Sequence, residues 1–218
     1  MSEKASMSGV IRAVLWDFGG VITTSPFEAF TRYEREHGLP KDFIRGLNAA
    51  NHHENAWAKF ERNQVPFDEF CSIYEAEAEA AGHPIDARAV VGCLGGDIRP
   101  QMVRALEAIK GKGLAQACLT NNFFRFDDAV PPSERRSSIL DLFDVIVESS
   151  RIGVRKPEPE FYRIACESLS IAPADAVMLD DLGVNLKPAR DMGMRTIKVV
   201  DADVALRELE GVLGFSVR

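Results

Sequence analysis

The sequence predicts an α/β fold in which a parallel β-sheet carries an inserted helical segment. Short apolar runs bounded by polar residues or glycine recur along the chain and are typical of buried strands. From the second run onward, they alternate with stretches of helical apolar spacing, which indicates parallel strands joined by right-handed crossovers. The long stretch between the first two runs has no strand pattern and reads as helical.

Five runs are predicted to be strands, and the later ones alternate with helices. The strands are VIRAVLW (10–16), LAQACLT (114–120), DVIVES (144–149), AVMLD (176–180) and RTIKVV (195–200). The helices are RPQMVRALEAIKGKG (99–113), EPEFYRIACESLS (158–170), NLKPARDMG (185–193) and ADVALRELEGVLG (202–214). The first helix ends in Gly-Lys-Gly and the third at Gly193, and both endings are common helix stops.

The stretch between the first two strands is predicted to be a helical insertion. Its apolar and aromatic residues recur at helical spacing in four segments, 25–38, 41–50, 54–64 and 66–82. The last segment alternates Glu and Ala, but both are strong helix formers, so a helix is favoured over a strand. We therefore predict a sheet domain formed by 1–23 and 94–218, with residues 24–93 folded over the carboxyl edge of the sheet.

Composition narrows the class of protein. The chain has 218 residues, of which 46% are hydrophobic, so it can bury a sizeable core. A net charge of −7 without a Lys/Arg cluster argues against a nucleic-acid partner. No apolar run reaches the length of a membrane span, and the polar start resembles no secretory signal. The four cysteines include no C-x-x-C pair, so we expect buried free thiols and a cytoplasmic protein.

Polar side chains follow the predicted strands at their carboxyl ends, where open α/β sheets bind ligands. They are Asp17 after the first strand, Thr120 and Asn121 after the second, Lys156 ahead of the helix that follows the third, and Asp180 and Asp181 after the fourth. Taken singly, each is an ordinary turn or cap residue. Their shared edge predicts a single site.

The chemistry that suits this set is phosphoryl transfer. Carboxylates at one spot repel one another unless a cation is present, and Mg²⁺ is bound through carboxylates, backbone oxygens and water. A lysine and a threonine hydroxyl suit the remaining phosphate oxygens. One carboxylate could then attack phosphorus and form an aspartyl-phosphate.

The segments DFGGVI, LTNNFF, FDVIVESSRIGVRKPEPEFY and LDDLGVNLKPARDMGM resemble the haloacid dehalogenase-type hydrolase superfamily. Within it, the chain is most similar to the amino-terminal phosphatase domain of soluble epoxide hydrolases and to the domain fused ahead of acyl-CoA dehydrogenase-like proteins. The resemblance runs from about residue 10 to 216. It implies a Rossmann-like core, a helical cap of the C1 type, and a Mg²⁺-dependent phosphatase of a small phosphorylated metabolite.

The resemblance also implies a role for each residue of the motifs. Asp17 matches the nucleophile, Thr120 and Asn121 the phosphate-binding pair, and Lys156 the family lysine. The predicted metal site comprises Asp17, the backbone carbonyl of Gly19, Asp181, and Asp180 through a metal-bound water. Phe18 and Gly19 are predicted to contact substrate together with Thr120, Asn121 and Lys156, and Asn185 is predicted to support the site. Selectivity is expected near 51–55 and Trp57.

One position departs from the family pattern. Its hydrolases mostly carry a second acid two residues after the nucleophile, where this chain has Gly19. Loss of a general acid–base typically costs ~10²–10⁴ in rate. Three functions therefore remain open: a phosphatase, a binding or scaffold domain with a reduced site, and a carbon–halogen hydrolase, whose halide leaves without a proton. The oligomeric state cannot be read from the sequence.

Overall fold

The computed structural model describes residues 10–121 and 138–218. Its sheet is formed by β1 (Ala13–Trp16), β2 (Ala115–Thr120), β3 (Val145–Glu148), β4 (Ala176–Asp180) and β5 (Arg195–Lys198). The strand order is β3-β2-β1-β4-β5, and each neighbouring pair is parallel. The predicted parallel α/β sheet is confirmed.

Helices lie between β1 and β2 and on both faces of the sheet. Between the two strands come α1 (Phe27–Glu36), α2 (Phe43–Ala49), α3 (Ala56–Glu61), α4 (Phe67–Ala80), α5 (Ala87–Gly92) and α6 (Pro100–Gly111). After β3 come α7 (Ser149–Ile152), α8 (Pro159–Ser168), α9 (Gly183–Asp191) and α10 (Ala202–Leu213). Below, α1–α5 are called the cap, and the sheet with α6–α10 is called the core.

Alternating residues of the buried strands pack on opposite faces of the sheet. On β1, Val14 and Trp16 belong to the hydrophobic cluster that includes α6 and α10. Leu15, between them, packs instead in the cluster that includes α8 and α9. The core therefore has three layers, with the sheet in the middle and its carboxyl edge left open to the cap.

The cap has a hydrophobic cluster of its own, built largely from aromatic side chains. The rings of Phe60 and Phe70 stack at 4.3 Å between centroids, and Trp57 packs against Tyr74 at 5.5 Å. The two connections to the core run side by side: Thr24 N–H donates to the Asp97 carbonyl at 2.8 Å. The cap is helical as expected, and the domain limits at 23/24 and 93/94 stay a prediction.

Several element boundaries differ from the prediction. The first strand begins at Ala13 rather than residue 10, and Val10 is 81% exposed. The third strand stops at Glu148 because Ser149 begins the short helix α7, which was not predicted. Helix α5 was also missed. Asp86 caps it by accepting a hydrogen bond from Ala89 N–H at 3.1 Å.

The four cysteines form no disulfide among themselves, and Cys71, Cys118 and Cys166 are buried. Among the described residues, no helix combines the length and the apolar character that a membrane span requires.

Candidate active site

The turn after β1 carries Asp17 and the two glycines. Phe18 N–H donates to Asp17 Oδ1 at 2.7 Å, so this amide is already engaged by the carboxylate. Gly20 has φ = 78°, and a Cβ there would lie 2.3 Å from Asp181 Oδ2. Gly19 has φ = −71° and ψ = 130°, and a Cβ there would meet nothing within 4 Å. A side chain at position 20 is therefore disfavoured by the fold, whereas a Cβ at position 19 meets no obstacle.

Lys156 lies at the centre of the cluster and is only 1% exposed. Its Nζ contacts Asp17 Oδ1 at 2.9 Å and Asp180 Oδ2 at 2.8 Å. Burial alone would lower the pKa of Lys156, but the two carboxylates outweigh burial and raise it above the ordinary value. The ammonium therefore stays charged and ties the ends of β1 and β4 together.

The two acids after β4 have different environments. Asp180 is fully buried and accepts hydrogen bonds from Leu182 N–H at 2.8 Å and Asn185 Nδ2 at 3.1 Å, in addition to Lys156. Asp181 is half-buried and accepts a hydrogen bond from Ser25 Oγ at 3.3 Å. Asp180 is thus held in place by the protein, while Asp181 has capacity left for a ligand.

The carboxylates can hold a metal ion. One oxygen each of Asp17, Asp180 and Asp181 lie within 4.8 Å of one another. Burial and Asp180 raise the pKa of Asp181 to about 6. Burial also raises the pKa of Asp17 well above its ordinary value, although Lys156 opposes this shift. Three acids around one ammonium leave the site short of positive charge. A small cation that prefers oxygen ligands can supply that charge.

Thr120 is the last residue of β2 and Asn121 follows it, and both line the same pocket. The side chain of Asn121 is engaged by the backbone of Lys156: its Oδ1 accepts from Lys156 N–H at 2.8 Å, and its Nδ2 donates to the Lys156 carbonyl at 2.9 Å. The predicted contact between Asn121 and phosphate would therefore use its backbone. Asn185 holds both oxygens of Asp180 at 3.1 Å, which is the supporting position expected from the sequence.

A pocket of about 890 Å³ lies between the cap and the carboxyl edge of the sheet. All the predicted site residues line it except Asp180, which lies behind Lys156. Of the segment predicted to set selectivity, His52 and Trp57 line the pocket. Asn55 does not. It is buried and caps α3 by accepting from Ala58 N–H at 2.8 Å.

Sequence reasoning missed four charged residues of the pocket: Asp42, Arg45, Glu61 and Arg155. Glu61 and Arg155 form an ion pair between the cap and the core. Glu61 lies four residues after Trp57 and hence on the same buried face of α3, which is an unusual place for a carboxylate. Arg155 directly precedes Lys156. Both signals were present in the sequence, but nothing in it indicates that the two residues meet.

Comparisons with known proteins agree with this geometry. A family model for haloacid dehalogenase-like hydrolases matches residues 11–193. The chain is 34% identical to acyl-CoA dehydrogenase family member 10 of Mus musculus and 32% identical to bifunctional epoxide hydrolase 2 of Sus scrofa. In each case 94% of the chain is covered, but the chain spans only 19% and 39% of the length of these relatives.

Two further similarities cover nearly the whole length of the other protein. The chain is 28% identical to sesquiterpene phosphatase astK of Aspergillus oryzae, over 95% of the chain and 100% of that protein. It shares its fold with the crystal structure of a HAD family enzyme from Bacteroides thetaiotaomicron in complex with magnesium and inorganic phosphate. That match has a TM-score of 0.60 and 20% identity, over 86% of this chain and 93% of the other.

Proposed function

From the premise that the chain belongs to the haloacid dehalogenase-like hydrolase family, we propose that it is a Mg²⁺-dependent phosphatase of a small phosphorylated metabolite. The observation that carries the proposal is the contact of Lys156 with both Asp17 and Asp180 at the end of the sheet. This contact holds the carboxylate of the nucleophile beside a buried positive charge. Such an arrangement suits attack on a phosphate dianion.

Asp17, Asp181 and the backbone carbonyl of Gly19 would hold Mg²⁺, and Asp180 would act behind them through water. When bound, the ion supplies the positive charge that offsets both the carboxylates and the phosphate. The two acids have separate tasks in this proposal. Asp181 is the ligand, whereas Asp180 chiefly positions Lys156, because its oxygens already accept hydrogen bonds from the protein.

The reaction would proceed in two steps at Asp17. A carboxylate oxygen of Asp17 attacks phosphorus and the bond from phosphorus to the ester oxygen breaks; the leaving oxygen departs as the anion, or takes a proton from solvent water where the anion is too basic. Water then attacks the aspartyl-phosphate, loses a proton and releases inorganic phosphate, which restores Asp17. Lys156 keeps its charge throughout and stabilises the oxyanions that develop beside it.

The pocket favours an organic group with apolar surface. Its walls on the cap side include Phe27, Phe30 and Trp57, and Leu94 and Ile98 line the side where the chain returns to the core. Burial of apolar surface contributes about 25 cal/mol per Å², so these walls can bind an apolar part of the leaving group, while Asp42, Arg45 and His52 of the same pocket can bind polar groups. The similarity to a sesquiterpene phosphatase supports a leaving group with an apolar part.

Hydrolysis of p-nitrophenyl phosphate with and without Mg²⁺ tests this function. We expect turnover that requires Mg²⁺ and is abolished by Asp17→Asn, because an amide cannot attack phosphorus. Absence of turnover with intact Mg²⁺ binding would favour a binding or scaffold domain. Chloride release from 2-chloropropionate without Mg²⁺ would favour a carbon–halogen hydrolase instead.

The glycine at position 19 predicts a strong dependence on the leaving group. The p-nitrophenolate leaves without a proton, whereas the alkoxide of hexyl phosphate needs one, so the wild type should favour the aryl ester by a wide margin. Gly19→Asp should raise the hexyl phosphate rate by about 10²-fold, the low end of general acid catalysis. The backbone at Gly19 and the open space around it accept the new side chain.

The matched control is Gly19→Asn, which has the same shape as the Asp variant but cannot donate a carboxylic proton. It should leave the ratio of the aryl and alkyl rates at the wild-type value. If Gly19→Asp folds, binds Mg²⁺ and leaves the hexyl phosphate rate unchanged, then lack of a proton donor is not what limits the wild type.

A further inference from the structure

Two neighbouring cap residues bind the core segment that carries Lys156. Glu61, the last residue of α3, pairs with Arg155, and Arg62 pairs with Glu158 at 2.8 Å. In the first pair the cap residue is the acid, and in the second pair the cap residue is the base. The two core residues of these pairs flank Lys156 in the sequence. We call this arrangement of residues 61, 62, 155 and 158 the cap clamp.

Of the two cap residues in the cap clamp, Glu61 is the more buried, and its side chain is 7% exposed. Its carboxylate accepts hydrogen bonds from donors on both domains: Trp57 Nε1 of the cap at 3.0 Å, and Asn121 Nδ2 of the core at 3.2 Å, in addition to Arg155. Burial raises the pKa of Glu61 and Arg155 opposes that shift. Because every contact is a donor, the geometry suits the ionised carboxylate.

The contact with Asn121 leads directly to Lys156. The same Nδ2 that donates to Glu61 also donates to the Lys156 carbonyl, and Oδ1 of the same amide accepts from Lys156 N–H. Lys156 Nζ in turn contacts Asp17 Oδ1 at 2.9 Å. Hydrogen bonds from Glu61 through Asn121 to the Lys156 backbone, followed by the Lys156 side chain itself, therefore connect a cap carboxylate to Asp17.

We propose that Glu61 is a positioning residue. When the cap packs on the core, Glu61 holds Asn121, and Asn121 in turn keeps Lys156 aligned with Asp17. Without the packed cap, this alignment is lost. This proposal rests on the proposed function for its effect on turnover, but not for its effect on the Lys156 backbone. Among the hydrogen bonds of the described residues, none joins Glu61 directly to Asp17. Glu61 acts through Asn121, and the seating of the cap thereby completes the site.

The second pair of the clamp supplies a matched control. Arg62 also joins the cap to the core, and its guanidinium donates to the His53 carbonyl as well as to Glu158. It has no hydrogen bond to Asn121 among those of the described residues. Arg62→Gln should therefore loosen the attachment of the cap without acting on Lys156, while Glu61→Gln does both.

The experiment compares Glu61→Gln with Arg62→Gln in kcat and KM for p-nitrophenyl phosphate at saturating Mg²⁺, in melting temperature, and in amide exchange at Lys156. We expect Glu61→Gln to lower kcat by about tenfold or more, since a small displacement of a positioned group can cost on the order of 10²-fold. Its KM should change less than about threefold. Arg62→Gln should keep kcat within about threefold at a similar loss of melting temperature.

Amide exchange tests the proposal without turnover, because Lys156 N–H donates to Asn121 Oδ1. Exchange at this amide should accelerate about tenfold in Glu61→Gln and much less in Arg62→Gln. If the wild type has no turnover, the proposed function fails, and amide exchange still decides the role of Glu61. Equal effects of the two variants on exchange, or losses of kcat that merely follow melting temperature, would overturn the proposal.

A double-mutant cycle adds a second measurement. If Glu61 acts through Asn121, then Glu61→Gln in an Asn121→Ala background should cause little further loss of kcat. Full additivity would contradict the proposal. Should Glu61→Gln fail to fold, Glu61→Asp replaces it, because it keeps the negative charge while its shorter side chain withdraws the carboxylate from Asn121 and Arg155.

Discussion

At the scale of single residues, the two glycines after Asp17 differ in whether the fold requires them. Gly20 adopts a positive φ, and its Cα faces the carboxylate of Asp181, so the fold admits no side chain there. Gly19 has an ordinary extended backbone and open space in front of it. The structure therefore gives no steric reason for the absence of an acid at position 19.

Alanine substitution should separate the two positions. Gly20→Ala is expected to lower the free energy of unfolding by about 1 kcal/mol or more, because of the positive φ. It should also displace Asp181 and weaken Mg²⁺ binding. Gly19→Ala should stay within about 0.5 kcal/mol of wild type, as is usual for substitutions free of strain. Urea denaturation and Mg²⁺ titration measure both, and equal losses in the two variants would refute the distinction.

The residue types of the site could be predicted from the sequence, but the division of tasks among them could not. A polar residue directly after a buried strand is visible as a pattern. The burial of Asp180, and the use of the Asn121 amide by the Lys156 backbone, depend on contacts between segments far apart in the chain. The sequence spacing between such partners carries no signal.

At the scale of elements, the long periodic helices were predicted, whereas two short helices, α5 and α7, were missed. Helix α4 has 14 residues and aromatic residues at helical spacing, so its pattern is unambiguous. Helix α7 has 4 residues, and its first residue was assigned to the preceding strand because a single turn has no periodicity. Helix α5 has 6 residues and depends on the cap from Asp86.

Helix α3 shows how one polar residue can organise two elements. Asn55 caps this helix through Oδ1, and its Nδ2 donates to three carbonyls at the end of α2, those of Leu47, Asn48 and Ala50. Asn55→Ala should cost about 1–3 kcal/mol, because it removes a helix cap and leaves the carbonyls at the end of α2, of which that of Leu47 is buried, without their donor.

The control for Asn55 is Asp86→Ala at the start of α5. Asp86 makes the corresponding cap hydrogen bond, but its side chain donates nothing, so this substitution should cost only about 1 kcal/mol. Thermal or urea denaturation of the two variants measures the difference. A loss in Asn55→Ala no greater than that in Asp86→Ala would mean that the three carbonyl contacts contribute nothing to stability.

At the scale of the whole molecule, the family and the parallel sheet inferred from the sequence are confirmed. The fold could be predicted because the motif residues at the strand ends are local features of the sequence. Their order along the chain is typical of the family. The seating of the cap is different. Glu61 and Arg155 are separated by 94 residues, and their pairing follows from how two hydrophobic clusters dock.

Because the pocket lies between the cap and the core, ligands that bind there should stabilise the whole molecule. The metal ion and an oxyanion should stabilise it more in combination than singly. Because the carboxyl groups of Asp17, Asp180 and Asp181 share a single ammonium, we expect the site to disfavour a phosphate dianion until a divalent cation is present. Tungstate alone should therefore leave the melting temperature unchanged, Mg²⁺ alone should raise it slightly, and the two together should raise it most.

The size of this combined effect follows from mass action. A ligand at 100 times its Kd stabilises the folded protein by about 2.7 kcal/mol, which corresponds to a rise in melting temperature of roughly 5–10 °C for a chain of this size.

Asp181→Asn should remove the dependence on Mg²⁺, since this carboxylate faces the pocket and has a hydrogen bond only from Ser25 among the described side chains. Arg163→Gln, which breaks an exposed ion pair outside the pocket, is the control and should keep the full shift. A shift with tungstate that is the same in Mg²⁺ and in EDTA would mean that the oxyanion binds without the metal, and that the acids at the sheet edge serve another purpose.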